Sequence, residues 1–231
     1  MKKNLLSIDW DYFIPVKEEW CGSYIENKRT NIILWYRRYF KNKKVGENIE
    51  KTVRTGNELK SFWSKIKKCF SIKNKAKVYV SDSHKFSYFI AQNNNCDEVI
   101  NFDAHSDLGY GGMKSLDFEL NCANWLGKLL KDSIVKSASI VFSPYTYEKK
   151  SEFQEINNSF SIYYPKMENL KKRNISVIHI CRSGSWTPPW LDGQFYKFVN
   201  DLHMAYKTMK CPKRNWNPED LTLSDKIYIM L

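Results

Sequence analysis

Long apolar runs are missing from this chain of 231 residues. None approaches the roughly 20 apolar residues that a membrane-spanning helix needs. The N-terminal run Leu5-Leu6 is interrupted at once by Asp9 and Asp11, which argues against a signal peptide and for a cytoplasmic location. Paired cysteine spacing is missing as well. The six cysteines (Cys21, Cys69, Cys96, Cys122, Cys181 and Cys211) include no Cys-x-x-Cys pair, which excludes a zinc knuckle and a thioredoxin-type motif. They are scattered through apolar and aromatic surroundings, as reduced cysteines are. There is no internal repeat, low-complexity tract or interdomain linker, and no recognised nucleic-acid motif. Acids are in deficit: 25 Asp and Glu stand against 37 Lys and Arg, a formal net charge of +12. Such a surface favours an acidic peptide, a nucleic acid or an anionic membrane, and is equally met in lysine-rich proteins with no specific partner.

Core-forming residues, by contrast, are plentiful, with aromatics at 15%. The length suits one sizeable α/β domain and is short for two. Apolar strand-like runs at residues 4–14, 77–81, 98–102, 134–142, 174–183 and 225–230 alternate with helical patterns at 31–40, 58–70, 86–92 and 121–130. A basic turn is expected at 41–44. This alternation predicts a single three-layer α/β domain over residues 1–231, a mostly parallel sheet flanked by helices. Residues 15–76 read as a mostly helical insert.

Three segments carry the chemistry: Ser7-Ile8-Asp9-Trp10-Asp11, Ser81-Asp82-Ser83-His84 and Asp103-Ala104-His105-Ser106-Asp107. Each follows an apolar, β-favouring run, so each is expected at the carboxyl end of a strand, where sites form in parallel sheets. In an extended strand Asp103, His105 and Asp107 would share one face, as would Asp9 and Asp11. Carboxylates gathered this closely repel, and a divalent cation is the usual compensation. Oxygen ligands mixed with imidazole, with no thiolate nearby, suit Mn²⁺ better than structural Zn²⁺, although Fe²⁺ and Co²⁺ accept the same set. The six candidate ligands are Asp9, Asp11, His84, Asp103, His105 and Asp107.

This set resembles the ureohydrolase (arginase and agmatinase) superfamily, whose members hold two Mn²⁺ ions and a shared activated water. Asp103 to Asp107 matches its Asp-Ala-His-x-Asp segment fully. Ser7 to Asp11 matches its Ser-x-Asp-x-Asp segment, and Ser81 to His84 resembles its histidine-ended segment loosely. Here the Asp-x-Asp segment comes first rather than last, and the chain is short. Both features are similar to the atypical peptide arginases, which convert arginine to ornithine within ribosomally made peptides. The resemblance implies that His84, Asp103, Asp107 and Asp9 hold one metal, and that Asp103, His105, Asp9 and Asp11 hold the other. Asp9 and Asp103 would bridge, and Asp107 would accept the proton of the attacking water. It further implies an arginine-containing precursor peptide as partner, with an acidic leader suited to the basic surface. The family's shuttle histidine has no counterpart among the four histidines. The comparable stretch offers Asn121 or Asn124 as substrate hydrogen-bonders, and Glu119, Asp117 and Asp192 are candidates to grip the guanidinium.

Two further segments have alternative readings. The run from Cys181 to Trp190 forms either one wall of a substrate cleft or a packed Pro-aromatic turn. His179, inside Val177-Ile178-His179-Ile180, reads as a satisfied core histidine. Competing functions are a one-metal amide hydrolase of the deacetylase type and a basic nucleic-acid-binding module with a non-catalytic metal site.

Overall fold

Apolar runs bounded by polar turns become the strands of one sheet in the computed structural model, which describes residues 2–22, 26 and 30–230. The first half of the chain supplies β1 (Asn4–Asp9), α1 (Thr30–Lys44), α2 (Ile49–Thr52), α3 (Glu58–Cys69), β2 (Phe70–Ser81), α4 (Phe86–Asn93) and β3 (Glu98–Asp103). The second half adds α5 (Trp125–Lys131), β4 (Ser137–Phe142), α6 (Gln154–Ser159), β5 (Ile162–Tyr163), β6 (Arg173–Cys181), α7 (Asp192–Asn200), β7 (Tyr206–Met209) and α8 (Leu223–Met230). The seven strands lie in the order β5-β4-β3-β1-β6-β2-β7. Every neighbouring pair is parallel, so all carboxyl ends open on one edge of the sheet.

The two sheet faces are sorted by the alternation of side chains along each strand. Leu6 and Ile8 of β1, Ile100 and Phe102 of β3, and Ile178 and Ile180 of β6 pack with Trp35, Phe62, Trp63 and Phe195 from α1, α3 and α7. Leu5, Val99 and Val177 point the other way and join Ile90, Leu126 and Leu129 from α4 and α5. The result is three layers with an all-parallel central sheet, as the alternating sequence pattern predicts. No helix among the described residues is long and apolar enough to cross a membrane.

Some local expectations are corrected. Residues 70–76 are not part of the helical insert; they are the first half of β2, where Phe70 and Ile72 pair with Arg173 and Ile175 of β6 before the register shifts at Lys77. Long-range pairing overrides a lysine-rich local sequence there. Lys41, Lys43 and Lys44 form the last turn of α1 rather than a separate turn, where their charge complements the helix dipole. Residues 225–230 are helical, not a strand. Thr222 and Asp225 cap α8 reciprocally, Thr222 N–H donating to Asp225 Oδ2 at 2.9 Å and Asp225 N–H to Thr222 Oγ1 at 3.2 Å, and such caps select a helix. The helix expected from residue 121 starts only at Trp125.

Candidate metal centre

All six candidate ligands converge at the carboxyl edge of β1, β2 and β3, but not by strand alternation. Asp9 and Asp103 end their strands. Asp11 sits one turn further, in a 3₁₀ turn over Trp10–Phe13 that Asp9 caps by accepting from the Asp11 N–H at 3.0 Å. Asp107 has a positive φ of 53°, so the chain has left the strand and doubled back. Left-handed backbone at a non-glycine residue is uncommon, and aspartate is among the residues that tolerate it. The loop is then clamped onto α5: Leu126 N–H donates to the Asp107 carbonyl at 3.1 Å, and Trp125 Nε1–H donates to Asp107 Oδ2 at 2.5 Å. Gly127 permits the approach, since a Cβ there would stand 2.3 Å from the Leu108 carbonyl oxygen.

Two overlapping clusters result. In the first, His84 Nδ1 lies 3.1 Å from Asp9 Oδ2, 3.0 Å from Asp103 Oδ2 and 2.8 Å from Asp107 Oδ2. In the second, His105 Nδ1 lies 2.8 Å from Asp11 Oδ2 and 3.7 Å from Asp103 Oδ1. Asp103 thus turns one oxygen to each cluster. The ligand atoms of Asp9, His84 and Asp103, and those of Asp11, Asp103 and His105, are close enough within each trio to hold a metal ion. Asp9 has a different second partner: besides His84 it accepts from the Ser183 hydroxyl and the Asp11 amide.

The electrostatics of the protein alone call for positive charge. Burial, then Asp9 and Asp103, push the Asp11 carboxyl well above its ordinary 3.8. Burial, then Asp103, push Asp107 up to about 7. Burial opposes charge on both histidines, yet Asp103, Asp107 and Asp9 raise His84, and Asp11 and Asp103 raise His105, well above 6.5. Burial is likewise outweighed at Asp103, whose carboxyl is lowered by the two histidines beside it, His105 and His84. Protons are drawn in where a cation would sit. One observation favours the cation over the protons. His84 Nδ1 is buried and makes no hydrogen bond of acceptable geometry, although three carboxylate oxygens surround it. Protonated, this nitrogen leaves a buried N–H unsatisfied; bare, it sets a lone pair against carboxylates; either is costly unless a metal ion lies between them.

A cavity of about 730 Å³ opens onto Asp9, Asp11, His84, His105 and Asp107. Glu119, Asn121 and Asn124 line it, but both amides are used within their own turn. Asn124 Oδ1 accepts from Asn121 N–H at 2.9 Å and its Nδ2 donates to the Glu119 carbonyl at 3.1 Å. Asn121 Oδ1 accepts from Ala123 N–H at 2.9 Å. Of the candidate acids, Asp117 pairs with Lys131 on the surface. Asp192 is held between Arg182 and Arg214. Only Glu119 faces the cavity.

Sequence reasoning missed two cavity acids. Glu148, in the loop after β4, accepts from Ser106 N–H at 2.8 Å and from the Tyr110 hydroxyl, and burial raises its pKa. Glu26 accepts from the Ser83 hydroxyl, and burial pushes it up to about 7. For Glu148 the usable signal is its place after a strand's carboxyl end; for Glu26 there is none. The run from Cys181 to Trp190 serves both of its readings: Ser183 and Trp186 line the cavity, while Arg182, Thr187 and Pro189 are packed away. His179 is the satisfied core histidine expected, with serine hydroxyls 2.8 Å and 2.6 Å from its two ring nitrogens. Burial, then His84, lower its pKa well below 6.5. Set against known proteins, the chain matches no family model, no curated protein and no solved structure.

Proposed function

We propose that the chain is a binuclear manganese hydrolase that cleaves the guanidino group of arginine, with arginine inside a peptide as the preferred substrate. Water adds across a guanidino C–N bond; urea leaves and the side chain becomes that of ornithine. The orphaned Nδ1 of His84 carries the metal reading, and the split of Asp103 between two clusters favours two ions over the single ion of a deacetylase-type site. His84, Asp9, Asp103 and Asp107 would hold one ion, and Asp11, Asp103, His105 and Asp9 the other. When bound, the ions lower the pKa of a shared water so that hydroxide is available near neutral pH.

The chain's own groups do the rest. Asp107, held by Trp125 Nε1–H and facing the cavity, is placed to receive a proton from the attacking water and return it to the leaving nitrogen. Glu119, Glu26 and Glu148 line the cavity; burial raises the last two, and a cationic head group beside them would favour their ionised forms, which a neutral amide would not. The volume of about 730 Å³ falls in the range of roughly 300–1,000 Å³ that accepts drug-sized ligands, which supports a peptide segment rather than a bare side chain. The net charge of +12 supports an acidic leader in that peptide.

The test is mass spectrometry of the Mn²⁺-loaded protein with free arginine and, separately, with arginine-containing peptides, beside a urea assay. The reading expects urea and loss of the amidino group from the peptide, with free arginine untouched. Turnover of free arginine would remove the peptide from the account. No urea from either substrate, with metal bound, would overturn the guanidino reading and favour acyl amides.

A further inference from the structure

Behind the metal cluster, on the α4 side of the sheet, a row of buried polar side chains has no part in the chemistry above. Ser7 of β1 lies beside His179 of β6 in the parallel register. Ser87 projects from α4, and Ser81 ends β2. Ser7, Ser81, Ser87 and His179 are all buried. They form one unbroken path: His84 Nε2 to Ser7 Oγ at 2.7 Å, Ser7 Oγ to Ser87 Oγ at 2.9 Å, Ser87 Oγ to His179 Nδ1 at 2.6 Å, and His179 Nε2 to Ser81 Oγ at 2.8 Å. The path ends where Ser81 Oγ donates to the Ser83 carbonyl at 2.9 Å.

That end fixes every proton before it, because each hydroxyl has one proton to give. Ser81 spends its proton on a carbonyl, which can only accept. Ser81 must therefore accept from His179, which places the His179 proton on Nε2. His179 is neutral, since it is buried and no carboxylate pairs with it among the described residues, and an unpaired buried charge is costly. Its Nδ1 is then a bare acceptor, so Ser87 donates to it. Ser87, its proton spent, accepts from Ser7. Ser7, its proton spent, accepts from His84 Nε2–H. We infer that Ser81, His179, Ser87 and Ser7 form a one-way hydrogen-bond relay that holds the His84 proton on Nε2 and presents a bare Nδ1 to the metal. His179 and Ser87 are thus positioning residues for a ligand neither of them touches. The inference rests on the metal reading of the previous subsection.

Removing the Ser87 hydroxyl frees the Ser7 proton to turn toward His84 Nε2. That favours the tautomer with a proton on Nδ1, where the metal must bind. Outer partners of metal ligands typically contribute about 10–100-fold in affinity. In Mn²⁺ titrations, Ser87→Ala is expected to weaken one of two sites by roughly that factor and leave the other unchanged, and Ser87→Thr is expected to restore it. Melting of the metal-free Ser87→Ala protein should fall modestly, because His179 Nδ1 loses its donor, with the circular dichroism of wild type retained. Unchanged Mn²⁺ binding in Ser87→Ala, with two ions bound to wild type, would overturn the relay alone. Equal weakening of both sites with a lower melting temperature would show a merely structural role and also overturn it. No Mn²⁺ bound to wild type would overturn the metal reading and this inference together. A second measurement does not depend on variants: ¹⁵N-histidine NMR of the metal-free chain should show His179 protonated at Nε2 and bare at Nδ1. The opposite tautomer would overturn the relay even if metal binds.

Discussion

Without metal, the protein should become less stable as the solution turns alkaline, and Mn²⁺ should reverse that trend. In the folded state Asp107 keeps its proton up to about pH 7, whereas its ordinary value is 3.8. Between these values the folded chain binds more protons than the unfolded one, so stability falls as pH rises. Asp11, also raised, acts with the same sign. His84 and His105 are raised above 6.5; their stabilisation is present below that value and lost as pH climbs through their folded pKa. Asp103 is lowered, so its contribution is lost only as pH falls below 3.8. Taken alone, the rise of Asp107 from 3.8 to about 7 makes its ionised form costlier by on the order of 4 kcal/mol. The lowering effect of His84 is already contained in that value. Between about pH 5 and about pH 7 roughly half of the cost is incurred, and ~2 kcal/mol lowers Tm by roughly 4–8 °C for a chain of this size. The assay is thermal unfolding in EDTA from about pH 5 to about pH 8, repeated with saturating Mn²⁺. The metal-free Tm should fall across the range, the gain from Mn²⁺ should grow, and Asp107→Asn should flatten the metal-free trend. A metal-free Tm that climbs toward pH 8, or no gain from Mn²⁺ there, would refute the reasoning.

Other consequences are as direct. Asp11→Asn removes a carboxylate that faces only the His105 cluster, so calorimetry should find one Mn²⁺ site lost and the His84 site retained. Trp125→Phe deletes the N–H donated to Asp107; the charge-assisted bond contributes about 1.5–3 kcal/mol, and kcat at neutral pH should fall with little change in fold by circular dichroism. Glu148→Gln leaves a group able to accept from Tyr110 but removes a negative charge from the cavity, and KM for the cationic substrate should rise more than kcat falls. Arg182→Met leaves Asp82 without the guanidinium that donates to it at 2.7 Å; breaking a buried pair this way costs about 3–5 kcal/mol, readable as a lower urea midpoint.

The sheet and the gathering of six acid and histidine side chains at its edge were legible because both depend on local pattern. Leu5 to Ile8, Val78 to Val80 and Val99 to Phe102 are apolar runs that end in acids, hydroxyls or histidine, and strands with functional ends look like that in any parallel sheet. Strand alternation is not what brings these side chains together. Asp11 and His105 reach the site through turns, and Asp107 through a left-handed backbone, which a period-two count does not foresee. Residues 225–230 misled because Ile227, Tyr228 and Ile229 favour strands; the Thr222-x-x-Asp225 cap was the better signal. Phe70 to Lys77 owes its strand to β6, a partner about a hundred residues away in sequence, so no local pattern could show it. The short edge strands β5 and β7 lacked an apolar run. Asn121 and Asn124 follow the Asp-Ala-His-Ser-Asp segment and line the cavity, but amides in a turn are recruited by their own backbone first. Glu148 follows the carboxyl end of β4 and was open to the same reasoning, whereas Glu26 gains its place only through Ser83, far away in sequence.

The proposed chemistry needs two metal ions between these six side chains. Anomalous diffraction at the manganese edge from Mn²⁺-loaded crystals tests it most directly. Two peaks that share Asp103 are expected, one against His84, Asp9 and Asp107 and the other against His105 and Asp11. A single peak, or peaks away from His84 Nδ1, would contradict it.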